Sequence, residues 1–125
     1  MKSDAEPTRH MPIEIRLKSA EKILEVDFDD GFKAALPAEL LRVESPSAEV
    51  QGHGSGQKKT LPGRRHVGIM NVEPVGNYAI KISFDDMHDT GIFSWNYLYE
   101  LARDHETIWQ DYLDRLEEQG LSRDP

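Results

Sequence analysis

Apolar and polar residues alternate with a period of two in several short stretches, the pattern of strands with one face in water. The stretches are Ile13 to Leu17, Ile23 to Phe28, Phe32 to Leu36, His66 to Val72, Tyr78 to Phe84 and Thr90 to Phe93. Paired aspartates follow two of them, as in tight reversals between antiparallel strands. The pattern predicts an antiparallel sheet of about five or six strands.

Helical patterns follow Pro37 and fill the last third of the chain. Pro37 suits the first position of a short helix, and Ser94 suits the N-cap of a longer one that breaks near Asp104. Beyond the break, apolar residues recur every three or four positions through Leu116, and Gly120 ends the pattern. These elements predict an α+β two-layer sandwich, with the antiparallel sheet packed on the C-terminal helices.

Two parts of the chain share one pattern. Leu24 to Asp30 matches Ile80 to Asp86 in apolar and polar character at an offset of 56 residues. Each stretch ends in two aspartates, and each is followed by a further short strand and a helix. We infer an internal duplication of a unit that contains two strands, an acidic turn, a third strand and a helix.

The chain of 125 residues is long enough for one domain and short for two. Its first residues lack periodicity, so we predict a disordered tail at 1–11, one domain at 12–119 and a second tail at 120–125. No secretory signal and no apolar run of about 18 residues occur, which predicts a cytoplasmic protein without a membrane segment.

Charge and composition exclude several partners and chemistries. The chain carries 15 Lys and Arg against 23 Asp and Glu, a formal net charge of −8, which repels nucleic-acid backbones and anionic lipid. It has no cysteine, which excludes disulfides, thiolate metal sites and cysteine nucleophiles. We therefore predict no nucleic-acid partner and no membrane partner.

A Gly- and Ser-rich segment from Gln51 to Gly63 lies in the one positively charged part of the chain. It contains His53 and looks like a phosphate-binding loop only weakly, because it lacks the Gly-Lys-Ser/Thr ending and a following helix. Its polar composition predicts a mobile loop.

The densest group of ionisable side chains follows the strand that ends at Phe84. Its members are Asp85, Asp86, His88 and Asp89. Such a group could hold a metal or supply an acid and a base. Turn-forming hydrogen bonds from the aspartates explain it better, because the same acidic turn occurs at Asp29 and Asp30 without a histidine.

Two segments, from Leu40 to Gly54 and from Phe84 to Trp95, carry a family resemblance. They resemble the gamma-butyrobetaine hydroxylase-like N-terminal domain family over residues 13–102. In that family the domain stands alone in bacteria, precedes the oxygenase domain of carnitine-biosynthesis dioxygenases, and is attached to iron–sulfur carrier ATPases in plastids. The resemblance assigns iron and 2-oxoglutarate chemistry to a separate oxygenase domain, which this chain does not reach, so we predict no enzyme activity.

The resemblance implies that this domain, in the oxygenase members of the family, binds zinc through three Cys and one His. The resemblance places these ligands at Ser45, Ser47, Val50 and His88. Hydroxyl groups are poor zinc ligands and an isopropyl group is none, so we expect no metal and no cofactor. We expect Asp86 or Asp89 to hold His88 and to raise its pKa. Met87 stands where the family's acidic turn usually has Gly.

Three hypotheses of function remain. The first is a non-catalytic accessory module that binds a protein partner, such as an iron–sulfur assembly factor. The second is a small-molecule or metal-binding enzyme that uses Arg42, His53, His88 and Asp89. The third is a purely structural remnant. A polar pocket at His88 would favour the enzyme, and an apolar surface at Trp95 would favour the module. The candidate binding residues are Arg42, Ser45, His53, His88, Asp89 and Trp95.

Overall fold

A computed structural model describes residues 7–51 and 58–125. Its strands are β1 (Pro12–Lys18), β2 (Ile23–Phe28), β3 (Lys33–Pro37), β4 (Ile69–Val75), β5 (Ala79–Phe84) and β6 (Gly91–Ser94). Its helices are α1 (Ala38–Val43), α2 (Ala48–Gln51), α3 (Trp95–Arg103) and α4 (His105–Glu118). The predicted α+β class is confirmed. Within the described residues no helix combines the length and apolar character needed to cross a membrane.

The strands form two antiparallel sheets of three, in the orders β1-β2-β3 and β4-β5-β6, rather than one larger sheet. Leu24 lies opposite Leu36 in the first sheet, and Ile80 lies opposite Phe93 in the second. These four side chains are buried, so each sheet turns its apolar face to the core. Local alternation predicts strands, whereas the division into two sheets depends on contacts that are distant in sequence.

The two sheets repeat one set of backbone hydrogen bonds. The N–H of Phe28 donates to the carbonyl of Phe32 at 2.9 Å, and the N–H of Phe84 donates to the carbonyl of His88 at 2.8 Å. The first N–H of each following helix bonds back to the turn between the first two strands. These donor and acceptor pairs are Ala38 with Lys22 and Trp95 with Tyr78. The duplication inferred from the sequence is therefore present in the structure, as two units that each contain three antiparallel strands followed by a helix.

One hydrophobic cluster joins the inner faces of both sheets to α1 and α3. Its fully buried members include Leu24, Leu36, Leu40, Ile82, Phe84, Phe93 and Leu98. Burying each such side chain contributes about 1.5 to 3 kcal/mol before entropy is counted. A second cluster of Val43, Tyr112 and Leu116 packs α4 against the end of α1. That contact fixes the point from which the segment with Ser45 leaves the helix.

The strand β4 ends later than the sequence predicts. The strand predicted to end at Val72 continues to Val75, so Pro74 sits inside β4 opposite Ile80 and the following turn begins at Gly76, which has a φ of 55°. An edge strand tolerates a proline because one side of its backbone has no partner in the sheet.

Parts of both predicted tails contact the domain. The N–H groups of Arg9 and His10 donate to Oδ1 of Asn96 at 2.9 and 3.3 Å. Near the other end, the N–H of Gly63 donates to the carbonyl of Ser122 at 2.9 Å. The limits of the tails and the mobility of the 51–63 loop stay predictions that amide hydrogen exchange would test.

Candidate functional site

The acidic turn after β5 fixes the backbone of His88. Its N–H donates to Oδ1 of Asp86 at 3.3 Å, and in the first unit the N–H of Phe32 donates to Oδ1 of Asp30 at 2.9 Å. An aspartate that accepts the N–H two residues later forms an Asx turn. The interpretation of these aspartates as turn-forming residues is confirmed.

Two arginines converge on the second oxygen of Asp86. Nε of Arg42 lies 2.7 Å from Oδ2 of Asp86, and Nε of Arg64 lies 2.8 Å from it. Partial burial opposes ionisation of this carboxyl, but the hydrogen bond from Arg42 and the charges of both arginines hold its pKa below the usual range. The Arg42 side chain is only 9% exposed. Its ion pair with Asp86 links α1 to the turn, so this candidate residue has a structural contact inside the chain.

The ring of His88 lies against the segment that follows α1. Its Nε2 is 3.0 Å from Oγ of Ser45 and 3.4 Å from Oγ of Ser47. Its Nδ1 is 3.1 Å from Oε1 of Glu49, and the side chain is 2% exposed. Three of the four positions to which the resemblance assigns ligands therefore meet, and the fourth, Val50, is buried in α2.

The prediction for His88 is wrong in two respects, the carboxylate that the ring contacts and the direction in which its pKa is shifted. The ring contacts Glu49 rather than Asp86 or Asp89, because Asp86 is occupied by the backbone and the arginines. Burial of the ring, followed by the charge of Arg42, lowers the pKa of His88, and the opposing effects of Glu49 and Asp86 are weaker. A neutral ring can accept a serine O–H at Nε2 and donate its Nδ1–H to Glu49.

The lowered pKa of His88 gives stability a defined pH dependence. The unfolded chain, with a histidine pKa of about 6.5, binds this proton more readily than the folded chain. The contribution of His88 is therefore present above about pH 7 and is lost as pH falls below 6.5.

We expect urea unfolding to show less loss of stability between pH 7 and pH 5 in His88→Gln than in the native chain. The exposed His66→Gln variant serves as the control and should follow the native curve. An NMR titration that places the His88 pKa above 6.5 would contradict this assignment.

These residues do not fit the zinc ion that the family resemblance implies. A structural zinc needs four thiolate, imidazole or carboxylate ligands, whereas Ser45, Ser47 and Val50 offer two neutral hydroxyls and an alkyl group beside one imidazole. Across residues 7–51 and 58–125, no three His, Asp or Glu side chains are placed to hold a metal ion together. The chemistry of the donor set therefore disfavours zinc.

A carboxylate, an imidazole and a hydroxyl meet around His88 in the same order as in the catalytic triad of acyl-transfer enzymes. Here Ser45 is completely buried, and a Cβ built on Gly91 would lie 2.5 Å from its Oγ. A substrate therefore has no path to this hydroxyl. The cluster is suited to holding the turn against α1 and α2 by hydrogen bonds.

Among the described residues, the remaining candidates do not join this cluster in one site. Trp95 is 6% exposed, and its indole N–H donates to the carbonyl of Asn77 at 3.2 Å, so it presents no apolar surface to a partner. Asp89 is exposed, and His53 lies outside the described residues.

Basic side chains of the positively charged segment form ion pairs within the chain. Lys58 lies 2.6 Å from Oε1 of Glu44, whose side chain is 5% exposed, and Arg65 pairs with Asp124. Sequence reasoning missed Glu44 and also Glu49. The only signal for Glu49 was its place two residues after Ser47, within the segment that carries the resemblance.

Met87 is one of the exposed residues of the acidic turn. Its φ is 76°, and its side chain is 89% exposed. Gly31 holds the equivalent position in the first unit with a φ of 91°. A non-glycine residue with this backbone costs about 1 kcal/mol, and an exposed methionine recovers none of that cost by burial. The sequence places Met87 at a glycine position, but only the structure shows that the turn geometry is retained.

Three solved structures are similar to this chain. One solution NMR structure is 50% identical in sequence and has a TM-score of 0.80. The match covers 93% of this chain and 91% of the chain in that structure. Another is 43% identical with a TM-score of 0.81, covering 96% of this chain and 91% of that one. A crystal structure of a protein of unknown function from Acidithiobacillus ferrooxidans is 40% identical, with a TM-score of 0.63 and coverage of 74% and 92%. No curated protein matches the chain.

The two three-stranded sheets and the C-terminal helices define an α+β domain, and the similarity to these solved structures extends over that fold. The chain belongs to the gamma-butyrobetaine hydroxylase-like N-terminal family, whose sequence model matches residues 15–99. The predicted family is confirmed. Its solved relative from Acidithiobacillus ferrooxidans is described as a protein of unknown function.

Proposed function

We propose that this chain is a non-catalytic accessory module that binds a protein partner through the acidic turn, in iron–sulfur cluster handling. The exposed, strained Met87 is the observation that carries the binding role, and the link to iron–sulfur cluster handling comes from the family resemblance alone. Strained backbone positions cluster at functional sites, where a side chain has a role that glycine could not fill. Covering an exposed apolar side chain with a partner is also favourable, because it removes apolar surface from water.

The neighbouring residues support a binding role over a catalytic one. His88 and Ser45 are buried and bonded to each other, so neither is available to a substrate. They hold the base of the turn, where the carboxylate of Asp85 also accepts the N–H of Gly68 at 3.0 Å, while Met87 and Asp89 remain exposed. A turn that presents the apolar Met87 beside the acidic Asp89 suits a partner surface with an apolar pocket next to a basic residue.

The Met87→Gly variant separates stability from binding. Relief of the positive φ should raise the free energy of unfolding by about 0.5 to 1 kcal/mol, less than the full strain because glycine gains entropy in the unfolded chain. Partner binding should fall at least tenfold, because the apolar contact is removed. Leu121→Ser removes another exposed apolar side chain and serves as the matched control.

Affinity capture from source cells followed by quantitative mass spectrometry gives the binding readout. We expect iron–sulfur assembly proteins to be captured by the native chain and by Leu121→Ser but not by Met87→Gly. Equal capture by all three variants would contradict the role of Met87. Selective loss of proteins unrelated to iron–sulfur assembly would support the turn as the binding site and contradict the iron–sulfur link.

A further inference from the structure

The first sheet has an open edge formed by β1. Within residues 7–51 and 58–125, β1 pairs with β2 on one side and with no strand on the other. Its apolar side chains remain in water, because Ile13 is 70% exposed, Ile15 is 38% exposed and Leu17 is 37% exposed. Unpaired backbone groups beside exposed apolar side chains form a template for another strand.

The other sheet edges are protected against such pairing. β3 has five residues and β6 has four, and each leads directly into a helix. β4 carries Pro74, which cannot donate a ladder hydrogen bond. β1 has a bulge at Ile13, so its regular part runs from Glu14 to Lys18. That part is the one regular edge in the described residues without a proline or an adjoining helix.

The sequence of β1 is complementary to itself in the antiparallel direction. When Ile15 is placed opposite Ile15 of a second copy, Glu14 of each copy faces Arg16 of the other. Arg16 already forms ion pairs within its own chain with Glu14, Glu25 and Asp27, so the contact across the axis extends an existing network of charges. Opposite charges directly across two strands stabilise a pair, and like charges oppose it. The same register brings Ile15 and Leu17 of both copies onto one apolar face.

We propose that β1 pairs with β1 of a second copy, centred on Ile15, to form a symmetric dimer with a continuous six-stranded sheet. This surface is separate from the acidic turn, so the inference does not depend on the proposed function. A contact of about five residues per chain is smaller than the interface of a stable dimer, about 1,200 Å² or more. The dimer is therefore weak and forms at high protein concentration.

A single engineered cysteine tests the register directly, because the chain has none of its own. In the proposed dimer, residue 15 lies on the symmetry axis with Cα atoms about 4.5 to 5.5 Å apart, within the range of a disulfide. We expect Ile15→Cys to form a disulfide-linked dimer at least tenfold faster than Ile92→Cys under the same mild oxidation. Ile92 is a matched control, since it is 43% exposed on β6.

Sedimentation equilibrium tests the association without a cross-link. The average mass of the native chain should rise between about 10 µM and 1 mM, as expected for an interface of this size. Glu14→Lys should remain monomeric, because it places two cations opposite each other twice, and circular dichroism confirms that it folds. Equal cross-linking rates for the two cysteine variants, or equal association of the native chain and Glu14→Lys, would overturn the proposal. Met87→Gly should dimerise normally, which separates this surface from the turn.

Discussion

Replacing His88 by alanine should lower the free energy of unfolding by about 2 to 4 kcal/mol. The ring is 2% exposed and its Nε2 lies 3.0 Å from the hydroxyl of the fully buried Ser45. Alanine would leave a cavity and would also leave the Ser45 hydroxyl with only the N–H of Ser47 as a partner, at 3.3 Å. Both losses occur in the interior, where neither is readily compensated by water.

Urea unfolding at pH 7.5 measures this effect, with two variants for comparison. His88→Gln retains a polar group near the serines and should lose less stability than His88→Ala. The exposed His66→Ala should change the free energy of unfolding by less than about 0.5 kcal/mol. An unchanged unfolding curve for His88→Ala would contradict the structural role of the ring.

Placing cysteines at the three positions to which the family resemblance assigns thiolate ligands should create a zinc site. In tetrahedral zinc sites with the usual bond lengths, a ligand nitrogen and sulfur lie about 3.5 Å apart. Nε2 of His88 is already 3.0 and 3.4 Å from the hydroxyls of Ser45 and Ser47. The turn and the segment after α1 therefore present the spacing that such a site needs.

The combined variant Ser45→Cys, Ser47→Cys and Val50→Cys should purify with about one zinc per chain and should lose thermal stability in EDTA. Adding His88→Ala to this variant removes the fourth ligand and should weaken zinc binding at least tenfold. Failure of the three-cysteine variant to bind zinc, while it remains folded, would show that these positions do not converge as the hydrogen bonds indicate.

Much of the fold follows from local alternation. Val26 and Ile82 lie in strands that the period of two predicts, and Ser94 caps α3 through a bond from the N–H of Tyr97, as predicted. The division of the strands into two sheets and the course of β4 through Pro74 were not predicted. Strand pairing depends on the burial of side chains that are distant in sequence. Proline cannot donate a ladder hydrogen bond, but an edge strand needs no such donor on its open side.

The candidate site was predicted in composition but not in chemistry. The family resemblance identified Ser45, Ser47 and His88, which the structure brings together. The direction of the His88 pKa was wrong because burial of the ring, followed by the charge of Arg42, lowers the pKa more than the charges of Glu49 and Asp86 raise it. Side-chain orientation within a turn and charges from another element are not encoded in local spacing.

The account rests on the claim that hydrogen bonds among His88, Ser45, Ser47 and Glu49, rather than a metal ion, hold together the positions to which the family resemblance assigns zinc ligands. Elemental analysis of the native chain, expressed in zinc-supplemented medium, with melting curves in the presence and absence of EDTA, tests it most directly. We expect no stoichiometric zinc and the same melting temperature in both conditions. About one zinc per chain, with a melting temperature that falls in EDTA, would contradict it.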